Sequence, residues 1–127
     1  MSTETDCFFC NVNDPHVLDQ SDTCFVIWDG FPVTTGHTLI ITKRHVETYF
    51  DLTPEERADV QRHIERERQS LMEGDKSISG FNIGINCGED AGQSIMHCHV
   101  HLIPRRKGDI ENPRGGVRGV IPDKRIY

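Results

Sequence analysis

No stretch of the 127-residue chain approaches the ~20 apolar residues that a membrane span requires, and the opening MSTETD lacks a signal-peptide pattern. Internal repeats and low-complexity segments are missing as well, so no domain boundary is expected before the final stretch. An even cysteine complement is absent: the five cysteines stand at 7, 10, 24, 87 and 98. An odd count without a secretory signal argues against a disulfide framework and for reduced thiols, so a cytoplasmic location is expected. Basic residues are scarce over the first 104 positions, with seven Lys and Arg against seventeen acids, a balance of −10. A body this acidic excludes a nucleic-acid polymer as a general partner, and no membrane partner is expected either.

The charge reverses at the end. From Arg105 onward seven bases (Arg105, Arg106, Lys107, Arg114, Arg118, Lys124, Arg125) meet three acids, a balance of +4. Such a segment can meet an anionic ligand or dock on the body's own acids. Before it, TCFVIWD (23–29), HTLIIT (37–42) and FNIGINC (81–87) predict strands, with turn-forming Gly and Pro between the first two. The segment from Thr53 to Gly74 predicts one long helix. Thr53 is its N-cap, Pro54 its first residue, Glu56 completes a capping box, and Val60, Ile64 and Leu71 lie roughly on one face. Two strands, a helix and two more strands predict an α+β domain with a mainly antiparallel sheet, occupying residues 1–110. Residues 111–127, rich in Gly and Pro, are expected to form an extended tail ordered by its contacts.

The unusual feature is MHCHVHLIP, residues 96–104, in which His97, His99 and His101 recur at every second position. Period two is the side-chain repeat of a strand, which puts all three imidazoles on one face and Cys98, Val100 and Leu102 on the other. One metal can hardly gather all three, because the Cα atoms of His97 and His101 stand about 13 Å apart on a strand; two neighbours could share an ion, leaving the third ring another role. A purely structural row would need a separate polar partner for each ring. A third reading is nucleophilic catalysis: neutral imidazole attacks phosphorus near pH 7 and forms a labile phosphoramidate. The central ring would attack, with its other nitrogen held by an acceptor. The turn just ahead, with Gly88, Gly92, Gln93 and Ser94, offers backbone and side-chain donors suited to phosphoryl charge.

These residues resemble the histidine triad family. HCHVHLI is similar to its His-x-His-x-His-x-x signature, DGFPVTTGHTLIITKRH to its D-x-x-P-x-x-x-G-H-x-L-x-x-P-K-x-H segment, and NCGEDAGQSIMHCHVHLIPRRKGD to its approach to the triad. The likeness spans roughly residues 7–110, and PRRKGD resembles the fragile-histidine-triad and dinucleoside-polyphosphate hydrolase branch more than the nucleoside phosphoramidase branch. Thr42 stands where the family usually has proline, which is expected to loosen a turn at most. The resemblance implies a homodimeric nucleotide hydrolase or transferase acting at an α-phosphate through a nucleotidyl-histidine. It implies His99 as nucleophile, oriented by the carbonyl of His97, with His101 contacting phosphate or assisting the leaving group. Gln93 is implied as a catalytic residue that, with Ser94 and Gly92, holds phosphate oxygens, while Asn86 lies near the phosphates. Asp29 is implied as a ribose ligand, the alternative being a turn residue at a strand end. His37 is expected to buttress the triad. A zinc-stabilised nucleotide-binding or adaptor module with little turnover, a phosphoramidase and a phosphorylase are the other readings.

CFFC, residues 7–10, places two thiols three positions apart, which suits a tetrahedral zinc or a redox dithiol. The family resemblance implies the zinc, with Cys7, Cys10, His45 and His97 as its ligands in a closed structural site. Cys24, Cys87 and Cys98 are expected in the core, and His16 and His63 on the surface.

Overall fold

The computed structural model describes residues 6–127, so all of the MSTETD opening except Asp6 lies outside the described residues. In chain order the regular elements are β1 (Asp19–Gln20), β2 (Cys24–Trp28), β3 (Thr38–Thr42), α1 (Pro54–Gly74), β4 (Ile78–Gly84) and β5 (His99–Arg106). The strands form one antiparallel sheet in the order β1-β2-β3-β5-β4, so the histidine strand is interior and β4 is an edge. Among the described residues no helix is long and apolar enough to cross a membrane.

Strand periodicity sorts the core into two layers. Val26, Ile40 and Val100 are directly opposed across β2, β3 and β5 and pack with Cys24, Cys98, Leu52 and Val60 beneath α1. The alternate residues Phe25, Ile27, Leu39 and Ile41 face the other way and are covered by Cys7 and Phe9. His99 pairs with Ile41 and His101 with Leu39, so both imidazoles belong to this second face. The imidazole face is therefore roofed and packed, not a bare row opposite the core. Each fully buried Ile or Val contributes about 1.5–3 kcal/mol through its removal from water.

The helix begins as its sequence requires. The Thr53 hydroxyl accepts from the Glu56 amide at 3.1 Å and the Glu56 carboxylate accepts from the Thr53 amide at 2.8 Å. Its packed face is more polar than expected. His63, expected on the surface, is only 1% exposed: its Nε2 donates to Ser21 Oγ at 2.9 Å, and the Ser21 and Thr23 hydroxyls both donate to Asp59. The turn between β1 and β2 thus anchors α1 through hydrogen bonds. His16 is exposed as expected.

Two other expectations shift. The strand foreseen over residues 81–87 occupies Ile78–Gly84, because its pairing with β5 runs from Arg106 only as far as His101 and leaves Asn86 and Cys87 in a loop; Cys87 is half-buried rather than core. Cys24 and Cys98 are buried, and burial pushes the Cys98 thiol up to about 12. The tail is compact instead of extended, with 3-10 turns at Gly116–Val120 and Pro122–Lys124. Arg118 donates to the carbonyls of Lys124 and Arg125, and Arg125 donates to those of Asn112 and Arg114. Gly115, at φ +91, is required there, since a Cβ would stand 1.9 Å from the Arg125 oxygen. Of the bases just after the triad, Arg106 meets an acid of the body, Asp75, at 2.9 Å, while Arg105 pairs within its own segment with Asp109 at 2.8 Å.

Candidate active site

A cleft of about 890 Å³ opens over the second face of the sheet, lined by apolar side chains of β2, β3 and the N-terminal segment. Its polar wall includes Asp29, His37, Asn86, Ser94, His99 and His101, with Gly92 beside them and Asn11, Asn13 and His16 from the N-terminal segment. Gln93 is not in that wall. It is 3% exposed, and its amide is spent on backbone: Oε1 accepts from Gly88 N at 2.8 Å while Nε2 donates to the carbonyl of Glu47 at 2.6 Å. Gln93 thereby closes the 88–93 turn and aims Gly92 and Ser94 at the cleft. None of the bases from Arg105 onward lines the cleft of its own chain.

His99 starts β5 beside Phe9, whose ring meets its edge at 4.8 Å. Its Nδ1 lies 2.7 Å from the carbonyl of His97. A carbonyl only accepts, so Nδ1 carries the proton and the lone pair resides on Nε2. Burial lowers the pKa of His99, which keeps the ring neutral, although the His97 carbonyl and Asp29 pull the other way.

His101 has the opposite tautomer, fixed by residues distant in sequence. Gly36, at φ +92, turns the chain tightly against Leu71 and Pro104 and presents His37 inward at 3% exposure. The Val33 amide donates to His37 Nδ1 at 3.0 Å, so the single proton of neutral His37 sits on Nε2. That Nε2 lies 2.9 Å from His101 Nδ1 and 3.3 Å from Asp29 Oδ2. Donation to His101 leaves the proton of His101 on Nε2. Asp29 Oδ1 accepts from the Phe31 amide at 2.7 Å, the turn role, while Oδ2 faces the two rings. Sequence reasoning foresaw His37 as a buttress but missed the Val33 amide, because a backbone donor leaves no signature in residue type.

Behind the triad, Cys7, Cys10, His45 and His97 bring one ligand atom each to within 4.8 Å of one another, a group that could hold a metal ion. Cys7 Sγ and Cys10 Sγ lie 3.3 and 3.5 Å from His97 Nδ1, and Cys10 Sγ lies 3.2 Å from His45 Nδ1. Tetrahedral zinc would separate S and N ligands by about 3.5 Å, so the donor set fits. His97 Nε2 donates to the carbonyl of Thr42 at 2.7 Å, which orients its Nδ1 lone pair toward the cluster. Thr42 does not loosen its turn: its hydroxyl donates to the Arg44 carbonyl at 3.0 Å. His97, expected on the same strand face as His99 and His101, precedes β5, which begins at His99, so its ring points at the cluster while its carbonyl serves His99.

Comparison with known proteins gives a consistent family. The HIT domain matches residues 11–108. The bis(5′-nucleosyl)-tetraphosphatase (asymmetrical) of Schizosaccharomyces pombe is 46% identical over 78 residues, covering 61% of this chain and 42% of that protein. The bis(5′-adenosyl)-triphosphatase of Dictyostelium discoideum is 36% identical over 104 residues, covering 77% of this chain and 69% of that protein. Among solved structures, a Zn-bound histidine triad family protein from Mycobacterium smegmatis superposes with a TM-score of 0.76 at 31% identity, covering 87% of this chain and 82% of that one. The chain spans only 22% to 55% of the length of three of its relatives.

Proposed function

The chain belongs to the HIT domain family, and from that premise we propose that it is a nucleotide hydrolase that attacks an α-phosphate with His99, its preferred substrates being dinucleoside polyphosphates or related conjugates. The observation that carries this reading is the 2.7 Å contact between His99 Nδ1 and the His97 carbonyl, which leaves the Nε2 lone pair for the cleft.

In the first step Nε2 of His99 forms a bond to the α-phosphorus while the bond to the bridging oxygen breaks, and its electron pair leaves on the departing phosphate. His99 keeps its Nδ1 proton, and the His97 carbonyl stabilises the positive charge that develops on the ring. Water then attacks the same phosphorus, the N–P bond breaks, and the pair returns to Nε2. The proton of water passes to solvent with the nucleoside monophosphate released. His101 donates through Nε2 to phosphate oxygen. Asn86, Gly92 and Ser94 line the path of the phosphates, Asp29 takes ribose hydroxyls on its Oδ2 side, and Gln93 acts by holding the turn.

The Cys7, Cys10, His45 and His97 cluster is suited to structural zinc, a reading supported by its donor set and by the Zn-bound relative. Zinc would tie the N-terminal segment to the catalytic strand and take no part in the chemistry. A homodimer is part of the proposal, supported by the unpaired outer edge of β4 and by the half-exposed Ile83 upon it; light scattering tests it.

The decisive assay incubates the protein with an adenosine polyphosphate and maps any covalent nucleotidyl group by mass spectrometry. An adduct on His99, lost together with turnover in His99→Ala, is the expected result. Nucleotide binding without adduct or turnover would identify a binding module instead.

A further inference from the structure

On the α1 side of the sheet, away from the face that carries His99 and His101, a second group of ionisable side chains surrounds His63. That ring is only 1% exposed, and its Nδ1 has no hydrogen-bond partner among the described residues. The directions of the surrounding bonds show what Nδ1 offers. Despite its burial, Asp59 is held below the usual carboxylate range by the Ser21 and Thr23 hydroxyls and Arg62, and a carboxylate only accepts. The Ser21 hydrogen therefore goes to Asp59, and Ser21 Oγ accepts from His63 Nε2–H at 2.9 Å. With its proton on Nε2, neutral His63 turns a bare lone pair on Nδ1 toward Asp19 Oδ2, 3.8 Å away. Ser21, His63 and Asp19 have the outline of nucleophile, base and orienter, but Nε2 is already protonated and cannot take the Ser21 hydrogen.

Two acceptors that face each other across a buried gap leave a lone pair unsatisfied, which is costly. A proton does not close this gap: an N–H···O bond needs about 2.7–3.2 Å, and burial lowers the pKa of His63 and so disfavours the imidazolium. A metal ion suits it better. Bonds of about 2.1 Å at a tetrahedral angle place N and O about 3.4 Å apart, so a closing of a few tenths of an ångström completes the pair. A third ligand stands one helical turn beyond His63, where Glu67 lines the same hollow of about 460 Å³ as Asp19. We propose that Asp19, His63 and Glu67 form a metal site, separate from the cysteine cluster, that takes a divalent first-row transition-metal ion and clamps β1 to α1. One imidazole with two carboxylates suits ions of the zinc, cobalt or nickel kind, whereas magnesium and calcium prefer oxygen ligands throughout. Burial and the Asp19 charge push the Glu67 carboxyl up, so the two carboxylates gain from sharing a divalent charge. Arg66 meets Asp19 Oδ2 at 3.1 Å, but its side chain is 64% exposed, and it swings into solvent at little cost when an ion enters.

The chain carries its own reporter. Trp28, its single tryptophan, lines this hollow as well as the cleft. Cobalt(II) added to the protein as purified, without nucleotide, should quench Trp28 fluorescence saturably. Its affinity should fall by about tenfold or more in Asp19→Asn and in Glu67→Gln, since even a residue that only supports a metal ligand is worth that much. Cobalt at the cysteine cluster announces itself by thiolate-to-metal absorption, which the two variants should leave unchanged. Absence of saturable quenching, or quenching of wild-type strength in either variant, overturns the site. Two-bond nitrogen–proton correlation NMR on the 15N-labelled protein reads the buried ring without any variant having to fold. Excess zinc should move His63 Nδ1 from the shift of a bare nitrogen to that of a metal-bound one, with the proton kept on Nε2. An Nδ1 that zinc leaves unmoved overturns the proposal, and one that instead gains a proton near pH 7 assigns the gap to an imidazolium paired with Asp19. None of these results bears on the adduct at His99, so this inference and the proposed function stand or fall separately.

Discussion

Lowering the pH from 7 to 5 should destabilise this protein, and His101 supplies a calculable part of the loss. Burial, then the neighbouring His99 and His37 rings, hold its imidazole down to about 4 from an ordinary 6.5, against the opposing pull of Asp29. A histidine harder to protonate when folded makes the unfolded chain the better proton binder below about pH 6.5. Its contribution to stability is therefore complete above that pH and is lost as pH falls toward 4. Linkage between those two values gives a loss of about 2 kcal/mol for this group from pH 7 to pH 5. Burial also lowers His37, His63 and His99, so the whole protein should lose more. Urea unfolding of wild type and His101→Asn at both pH values isolates the one ring, since contributions shared by the two proteins cancel. The variant should lose about 2 kcal/mol less over the interval. Identical losses in the two proteins would refute the reasoning that His101 is held neutral by its surroundings.

Other outcomes follow from particular contacts. Thr53→Ala removes the hydroxyl that caps α1 and should lower stability by about 1 kcal/mol, read as a lower urea midpoint; an unchanged midpoint contradicts the capping account. Chelator should lower Tm and inactivate slowly, in step with loss of structure, because the Cys7–His97 cluster lies behind the cleft; instant loss of turnover would give the metal a catalytic part. Gly115→Ala forces a Cβ onto the Arg125 carbonyl, so limited proteolysis within residues 111–127 should accelerate while the urea midpoint of the domain barely moves. A tail as resistant as wild type would contradict that packing.

The parts of this molecule legible in its sequence are those fixed by local chemistry. The Thr53–Glu56 capping box and Pro54 announced the start of α1, and the alternation around Val100 put His99 and His101 on one face, though it wrongly placed His97 beside them. Cys7, Cys10, His45 and His97 converge as their resemblance implied. What escaped depends on distant partners. His63 is polar and looked exposed, yet Ser21, 42 residues earlier, gives it a buried hydrogen bond. β4 lies three residues ahead of its expected start because pairing with β5, not its own β propensity, sets its limits. Gln93 carries a residue type suited to phosphate, but its geometry turns that amide onto Gly88 and Glu47. The tail's turns follow from guanidinium bonds to carbonyls, which composition alone does not reveal.

The central claim is that the α-phosphorus bonds to nitrogen before it bonds to water. Stereochemistry at that phosphorus tests it most directly: hydrolyse a dinucleoside polyphosphate carrying a chiral α-phosphorothioate in 18O-labelled water and determine the configuration of the nucleotide released. Two successive in-line displacements, first by His99 and then by water, predict overall retention. Overall inversion would mean that water attacks in a single step, and the nucleophilic role of His99 would be lost.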